Sequence, residues 1–136
     1  MGLKQSESSK LSYIEEELKI PKSKVISVSK LNDYIEEKLT TDSKLLNVYL
    51  IGEVSNLREF PSGHTYFNLK DEDSLVSCII YAGNKRSLKY SPEDNKEVLV
   101  LASVSVYKKS GKYQLNVEQV FPIGEGLFHT RFRKLK

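Results

Sequence analysis

The sequence predicts a mainly β protein, a small closed barrel of five strands. One helix precedes the first strand, and a short helix lies between the third and fourth. Three observations carry this reading. After residue 47 the apolar residues change from helical spacing to alternation with period two, in five separate runs. Gly, Pro, Asn, Asp and Ser gather between those runs, where chain reversals need them. The fourth run, Glu97 to Tyr107, is long enough to bend around a barrel, and closing a barrel removes open sheet edges.

Residues 1–24 are an N-terminal extension rich in Ser and Lys. Leu11, Ile14 and Leu18 recur at helical spacing, and Ser12 with Glu15 has the capping-box interval. These fit a short helix over 12–19, stopped by Pro21; a frayed extension fits the composition as well. The barrel domain spans 25–123 and opens with a helix over 29–39. There Val28, Leu31, Tyr34, Ile35 and Leu39 form one apolar stripe, with Ser29 or Ser27 as N-cap.

Strand one places Val48, Leu50, Gly52 and Val54 on one face and ends near Asn56, ahead of a loop carrying Arg58, Phe60, Pro61, Ser62, Gly63 and His64. Strand two, Thr65 to Lys70, points Phe67 and Leu69 inward and Tyr66, Asn68 and Lys70 outward. Asp71 to Ser74 make a turn. Strand three, Leu75 to Tyr81, puts Val76, Cys78 and Ile80 on the core side and Ile79 and Tyr81 outside. Asn84 caps a short helix through Lys89. Strand four is followed by a basic hairpin tip, Lys108 to Lys112, and strand five runs from Tyr113 to Phe121. This order is the plan of an OB-fold, a five-stranded Greek-key barrel that binds oligonucleotides or oligosaccharides. SH3-like and other small barrels satisfy the alternation too.

Composition narrows the function classes. The chain of 136 residues suits one domain, and no apolar run approaches the ~20 residues of a membrane-spanning helix. A cytoplasmic location with no membrane partner is expected. The single cysteine, Cys78, lies in an apolar run and reads as a small buried hydrophobe. The net charge of +3 is weak, so affinity for nucleic acid must come from local placement of cations. His64 and His129 have no acids spaced as a metal set or a triad, so no catalytic residue, metal or cofactor is expected in this chain.

Several motifs then align with one family. G-E-V-S-N at 52–56, S-G-H-T-Y-F-N-L-K-D at 62–71, C-I-I-Y-A-G-N at 78–84 and Y-K-K-S-G-K-Y-Q-L at 107–115 closely resemble the N-terminal domain of the exodeoxyribonuclease VII large subunit. S-V-S-K-L-N-D-Y-I at 27–35, S-L-K-Y-S-P-E-D at 87–94 and P-I-G-E-G-L-F at 122–128 extend the match. The resemblance implies an OB-fold that binds single-stranded DNA, with partners in a following nuclease domain and in small subunits. It implies that residues 124–136 are a basic tail leading toward a nuclease domain this chain does not contain. Leu101 and Ser103 stand where relatives commonly carry basic residues, which thins the positive surface.

The candidate contacts follow from what single strands require, a basic track for phosphates and aromatic faces for bases. Tyr66 and Tyr81 are stacking candidates, and Asn68 and Lys70 share the outward face of strand two. Arg58 suits bidentate contact with phosphate. His64 either reaches the ligand or ties its own loop down. Lys85, Arg86 and Lys89 form one basic group, and Lys108, Lys109 and Lys112 form another at the hairpin. A protein-interaction module docking a nuclease subunit and a stand-alone RNA-binding OB domain are the competing readings.

Overall fold

A computed structural model describes residues 5–123 of the chain. Helix α1 spans Gln5–Glu17 and helix α2 spans Val28–Thr41, followed by strands β1 (Val48–Glu59), β2 (Thr65–Lys70), β3 (Leu75–Ile80), β4 (Glu97–Tyr107) and β5 (Lys112–Pro122). A 3₁₀ segment, Ala82–Ser87, links β3 to β4. The five strands close into a barrel in the order β1-β2-β3-β5-β4. All pairs are antiparallel except β3 with β5. The expected mainly β architecture, with a leading helix and a short helix between the third and fourth strands, is the one observed.

Alternation fills the barrel. Val54, Phe67, Leu69, Cys78, Ile80, Val98, Val100, Ala102, Val104, Leu115, Val117 and Val120 form one buried cluster. Cys78 lies within it, and desolvation pushes its thiol up to about 12, as suits an inert core residue. Gly52 is required by a close approach: a Cβ there would sit 2.8 Å from Leu69 Cγ and 2.9 Å from the Lys70 carbonyl oxygen. Asp71 shapes the β2–β3 turn. Its Oδ1 accepts from the backbone N–H groups of Asp73 and Ser74, which hold its carboxyl below the usual range.

Several local expectations need correction. Helix α1 begins and ends earlier than 12–19, at Gln5 and Glu17. Helix α2 is longer than 29–39; of its two expected N-cap candidates Ser27 is the one observed, its hydroxyl accepting from the Lys30 N–H at 3.1 Å. The α2 stripe is mostly unburied: Val28, Leu31, Tyr34 and Ile35 are exposed, and Leu39 packs on the core. Asn84 does not cap the 3₁₀ segment, which follows Tyr81 without a side-chain cap. The tail at 124–136, with His129, lies outside the described residues.

The largest correction concerns β1. It does not end near Asn56 but continues to Glu59 through a bulge between Ser55 and Arg58. Asn56 takes a positive φ of 56°, a conformation asparagine tolerates better than most residues. The β3–β4 connection seals the irregularity: Asp94 Oδ1 accepts from the Leu57 N–H at 3.0 Å, and the Asn95 N–H donates to the Val54 carbonyl at 2.8 Å. The bulge turns Leu57 toward the core and brings Arg58 directly opposite Tyr66.

Candidate nucleic-acid interface

Register arranges the outward face of β1, β2 and β3 as three rows. Arg58, Tyr66 and Ile79 form the first, continued by Asn116 of β5; Ser55, Asn68 and Ser77 form the second; Glu53, Lys70 and Leu75 form the third. Rows two residues apart along a strand are separated by roughly 6.8 Å. The face therefore grades from an aromatic and cationic end, through small polar residues, to an end with one lysine.

The first row is built up by the β1–β2 loop. Phe60 meets Tyr66 edge-on, with centroids 4.8 Å apart and planes at 68°. The Arg58 guanidinium carbon lies 5.9 Å from the centre of the Phe60 ring, within cation–π range, and its Nε donates to the Asn56 carbonyl at 3.2 Å. The loop itself is tight. The Gly63 N–H donates to the Phe60 carbonyl at 2.8 Å, and Gly63 has φ of 92°, a region that a residue with a Cβ enters at a cost.

His64 locks this loop to the start of the 3₁₀ segment that follows the neighbouring strand β3. Its Nδ1 accepts from the Ala82 N–H at 3.0 Å, which places the proton of the neutral ring on Nε2. The ring also packs edge-on against Tyr81, 5.1 Å between centroids at 87°. Of the two roles open to His64 from sequence, the loop tie is the one with a partner in the structure. Tyr81 remains 39% exposed, enough to leave a face open beside the histidine.

The basic residues divide. Lys85 is held by Glu59 at 3.3 Å, pinning the 3₁₀ segment to the end of β1. Arg86 and Lys89 are exposed; the Lys89 backbone is anchored through Gln119, whose Oε1 accepts from the Lys89 N–H at 3.0 Å while its Nε2 donates to the Ser87 carbonyl at 2.6 Å. Lys108 is bound to helix α2, 3.1 Å from Asp33 and 3.3 Å from Glu36, and its carbonyl accepts from Asn32 Nδ2 at 2.9 Å. These hydrogen bonds, Asp33 first, raise the Lys108 pKa above its ordinary value. Lys109 and Lys112 are exposed and form no ion pair among the described residues.

The hairpin group lies at the opposite end of the face from the loop. Because β5 runs parallel to β3 with Leu115 beside Cys78, the start of β5 at Lys112 lies toward the Leu75 end of β3, the end that also carries Lys70 and the acidic turn. The twelve candidate residues are therefore not one surface: Arg58, His64, Tyr66, Tyr81 and Lys85 are brought together at the loop end, with Arg86 on the same 3₁₀ segment as Lys85 and Lys89 just after it; Asn68 and Lys70 lead away, and Lys108, Lys109 and Lys112 stand at the far end.

Two features differ from the reading of strand parity. Ile79 points outward as expected but is only 3% exposed, flanked by Tyr66 on one side and Asn116 on the other. Phe60, 44% exposed, belongs to the aromatic group and was not among the candidates. Its signal was its spacing of two from Arg58, hidden by treating both as loop. Among the described residues no three His, Cys, Asp or Glu side chains group as a metal site, and no helix is long and apolar enough to cross a membrane.

A closed five-stranded barrel with an aromatic and basic outer face is the arrangement of an oligonucleotide-binding fold. Residues 26–121 match the family described as an OB-fold nucleic acid binding domain, and the chain belongs to that family. Within it, the chain is similar to the exodeoxyribonuclease 7 large subunit of Clostridium acetobutylicum, 44% identical over 113 residues, which are 83% of this chain and 28% of that relative. The corresponding protein of Alkaliphilus oremlandii is 42% identical over 113 residues, with the same shares of 83% and 28%. The resemblance read from the motifs is borne out, and the chain spans 28% of the length of these relatives. A structure of a replication protein A heterotrimer bound to ssDNA shares the fold, with a TM-score of 0.50, 12% identity and 67% of each chain covered.

Proposed function

We propose that this domain binds single-stranded DNA across the outward face of β2 and β3 and presents it to a nuclease domain of an exodeoxyribonuclease large subunit. The observation that supports this reading most is the group of Arg58, Phe60 and Tyr66 beside His64 and Tyr81. It offers open aromatic faces next to a guanidinium that forms no salt bridge among the described residues. Stacked bases contribute ~1–3 kcal/mol each, and phosphates are drawn by the neighbouring cations. The chain itself contributes binding, not bond cleavage, and acts in the cytoplasm with the nuclease domain and small subunits as partners.

Fluorescence anisotropy with a labelled single-stranded oligonucleotide tests it. Wild-type protein binds with an affinity that falls as salt rises, and Tyr66→Ala weakens binding about tenfold. Unchanged binding by the variant refutes the placement, and no binding at low salt refutes the function. Competition with RNA of the same sequence decides between DNA and RNA, because only RNA offers 2′-hydroxyls. The exposed residues Val28, Leu31 and Tyr34 on α2 favour a second reading, docking of a partner protein; co-purification that Leu31→Ser abolishes would support it.

A further inference from the structure

We infer that the open mouth of the barrel, at the hairpin end of the β2–β3 face, is a second subsite that accepts one unstacked nucleobase of a bound single strand. The inference rests on the nucleic-acid-binding reading above. The mouth holds a cavity of about 300 Å³ whose floor includes Leu69 and Leu115 from the core. Its rim includes Ile51, Leu75 and Tyr113, which are 56%, 56% and 57% exposed. That volume is at the small end of the ~300–1,000 Å³ range of ligand sites, and barrel mouths are recurrent places for them. A planar, apolar-faced base with a polar edge suits walls of this kind.

Charge and continuity select a nucleotide as the occupant. Lys70 belongs both to the outward face of β2 and to the rim of the cavity. Lys112 is exposed and directly precedes Tyr113 of the rim, so a second lysine stands near the opening on the β5 side. The acids nearby are Asp71, Glu72 and Asp73 in the turn and Glu53 opposite Lys70. The Asp71 carboxylate is turned onto its own backbone N–H groups, while Glu72 and Asp73 are exposed. Phosphates are therefore repelled from the turn and drawn to the lysine side, which leaves the base to enter the apolar mouth.

Spacing connects the two subsites. From Tyr66 to Lys70 the strand advances about 13 Å, roughly four stacked nucleotide rises of ~3.4 Å. A trinucleotide engages the loop end alone, and a ten-nucleotide strand engages both.

The test compares oligo(dT) of three and ten nucleotides against the full chain, with Leu75→Ala and Tyr113→Ala as variants; both positions are more than half exposed, and circular dichroism verifies their folding. Each variant is expected to weaken the ten-nucleotide strand about tenfold and to leave the trinucleotide unchanged. With 2-aminopurine scanned along the longer strand, one position changes its emission on binding, and Tyr113→Ala abolishes that change. Equal losses at both lengths, no loss, or no responsive position overturns the subsite while wild-type binding still stands. Failure of wild-type protein to bind either strand overturns the nucleic-acid reading and the subsite together.

Discussion

At the loop end of the β2–β3 face, cation and rings hold one another: Arg58 lies over Phe60, Phe60 against Tyr66, and His64 ties the loop to Ala82. At the hairpin end, charge is abundant and differently arranged. Lys108 is bound by Asp33 and Glu36 of α2, while Lys109 and Lys112 are exposed. The first end holds its rings and one guanidinium in fixed geometry, and the second presents two lysines, Lys109 and Lys112, with none. Stacking needs the former, because an ordered ring loses less entropy when a base lands on it. Phosphate attraction needs only the latter, since it acts over a Debye length. The loop end should therefore set affinity, and the hairpin end should set salt dependence.

The largest expected effect breaks the loop end. The double variant Arg58→Ala, Tyr66→Ala should lose about a hundredfold in affinity for a ten-nucleotide strand, from one stacked base and one charge-assisted contact. Its log–log salt slope should fall by only about 0.7, the share of one phosphate on a single strand. Lys109→Ala, Lys112→Ala should show the reverse pattern: a loss of about tenfold at low salt, and a slope reduced by roughly 1.4 for two phosphates. Anisotropy titrations at several salt concentrations read both quantities. If the lysine pair changes affinity without changing the slope, the contrast between the ends is wrong.

His64→Ala should have a smaller effect of a different kind. Removing Nδ1 leaves the Ala82 N–H without its acceptor and costs about 1 kcal/mol in stability, visible as a lower thermal midpoint. Binding should weaken only a few-fold, because Phe60 and Tyr66 stay on the face while their loop loosens. A binding loss as large as that of Tyr66→Ala, with an unchanged midpoint, would make His64 a ligand contact instead of a tie.

Much of this arrangement was legible in the sequence, and its losses have a common cause. The limits of β2 and β4 and the inward side of Phe67 and Leu69 follow from alternation, because period two is fixed by the pleat. Arg58 reads as a loop residue because Asn56 breaks the alternation, and a bulge looks like a strand end when no partner strand is visible. The same bulge hid Phe60. Parity places Ile79 outward correctly, but its burial depends also on Asn116, whose strand comes beside β3 only through the long-range parallel β3–β5 pairing. Lys108 shows the limit most clearly. Its ion-pair partners lie 75 and 72 positions away, and nothing local separates it from Lys109.

That pair of adjacent lysines gives the smallest expected effect and the sharpest comparison. Lys108→Ala should leave affinity and salt slope for single strands nearly unchanged, because its charge is already answered by Asp33 and Glu36. Releasing it should do more than removing it. In Asp33→Asn, Glu36→Gln the Lys108 ammonium is free, and the salt slope should steepen by about 0.7 as one more phosphate becomes available to it. The attachment also has a pH signature. Lys108 has its folded pKa raised, so its contribution to stability is fully present below the unfolded value near 10.5 and is lost as pH rises through the higher folded value. The helix–hairpin link thus remains intact through neutral pH, and a thermal midpoint followed from pH 9 to 11.5 should fall less steeply in Lys108→Ala than in wild type. A steeper slope in the acid-to-amide variant, with no change in Lys108→Ala, is explained only if α2 withholds this lysine from the ligand; equal and opposite changes in the two variants would mean that Lys108 already serves both.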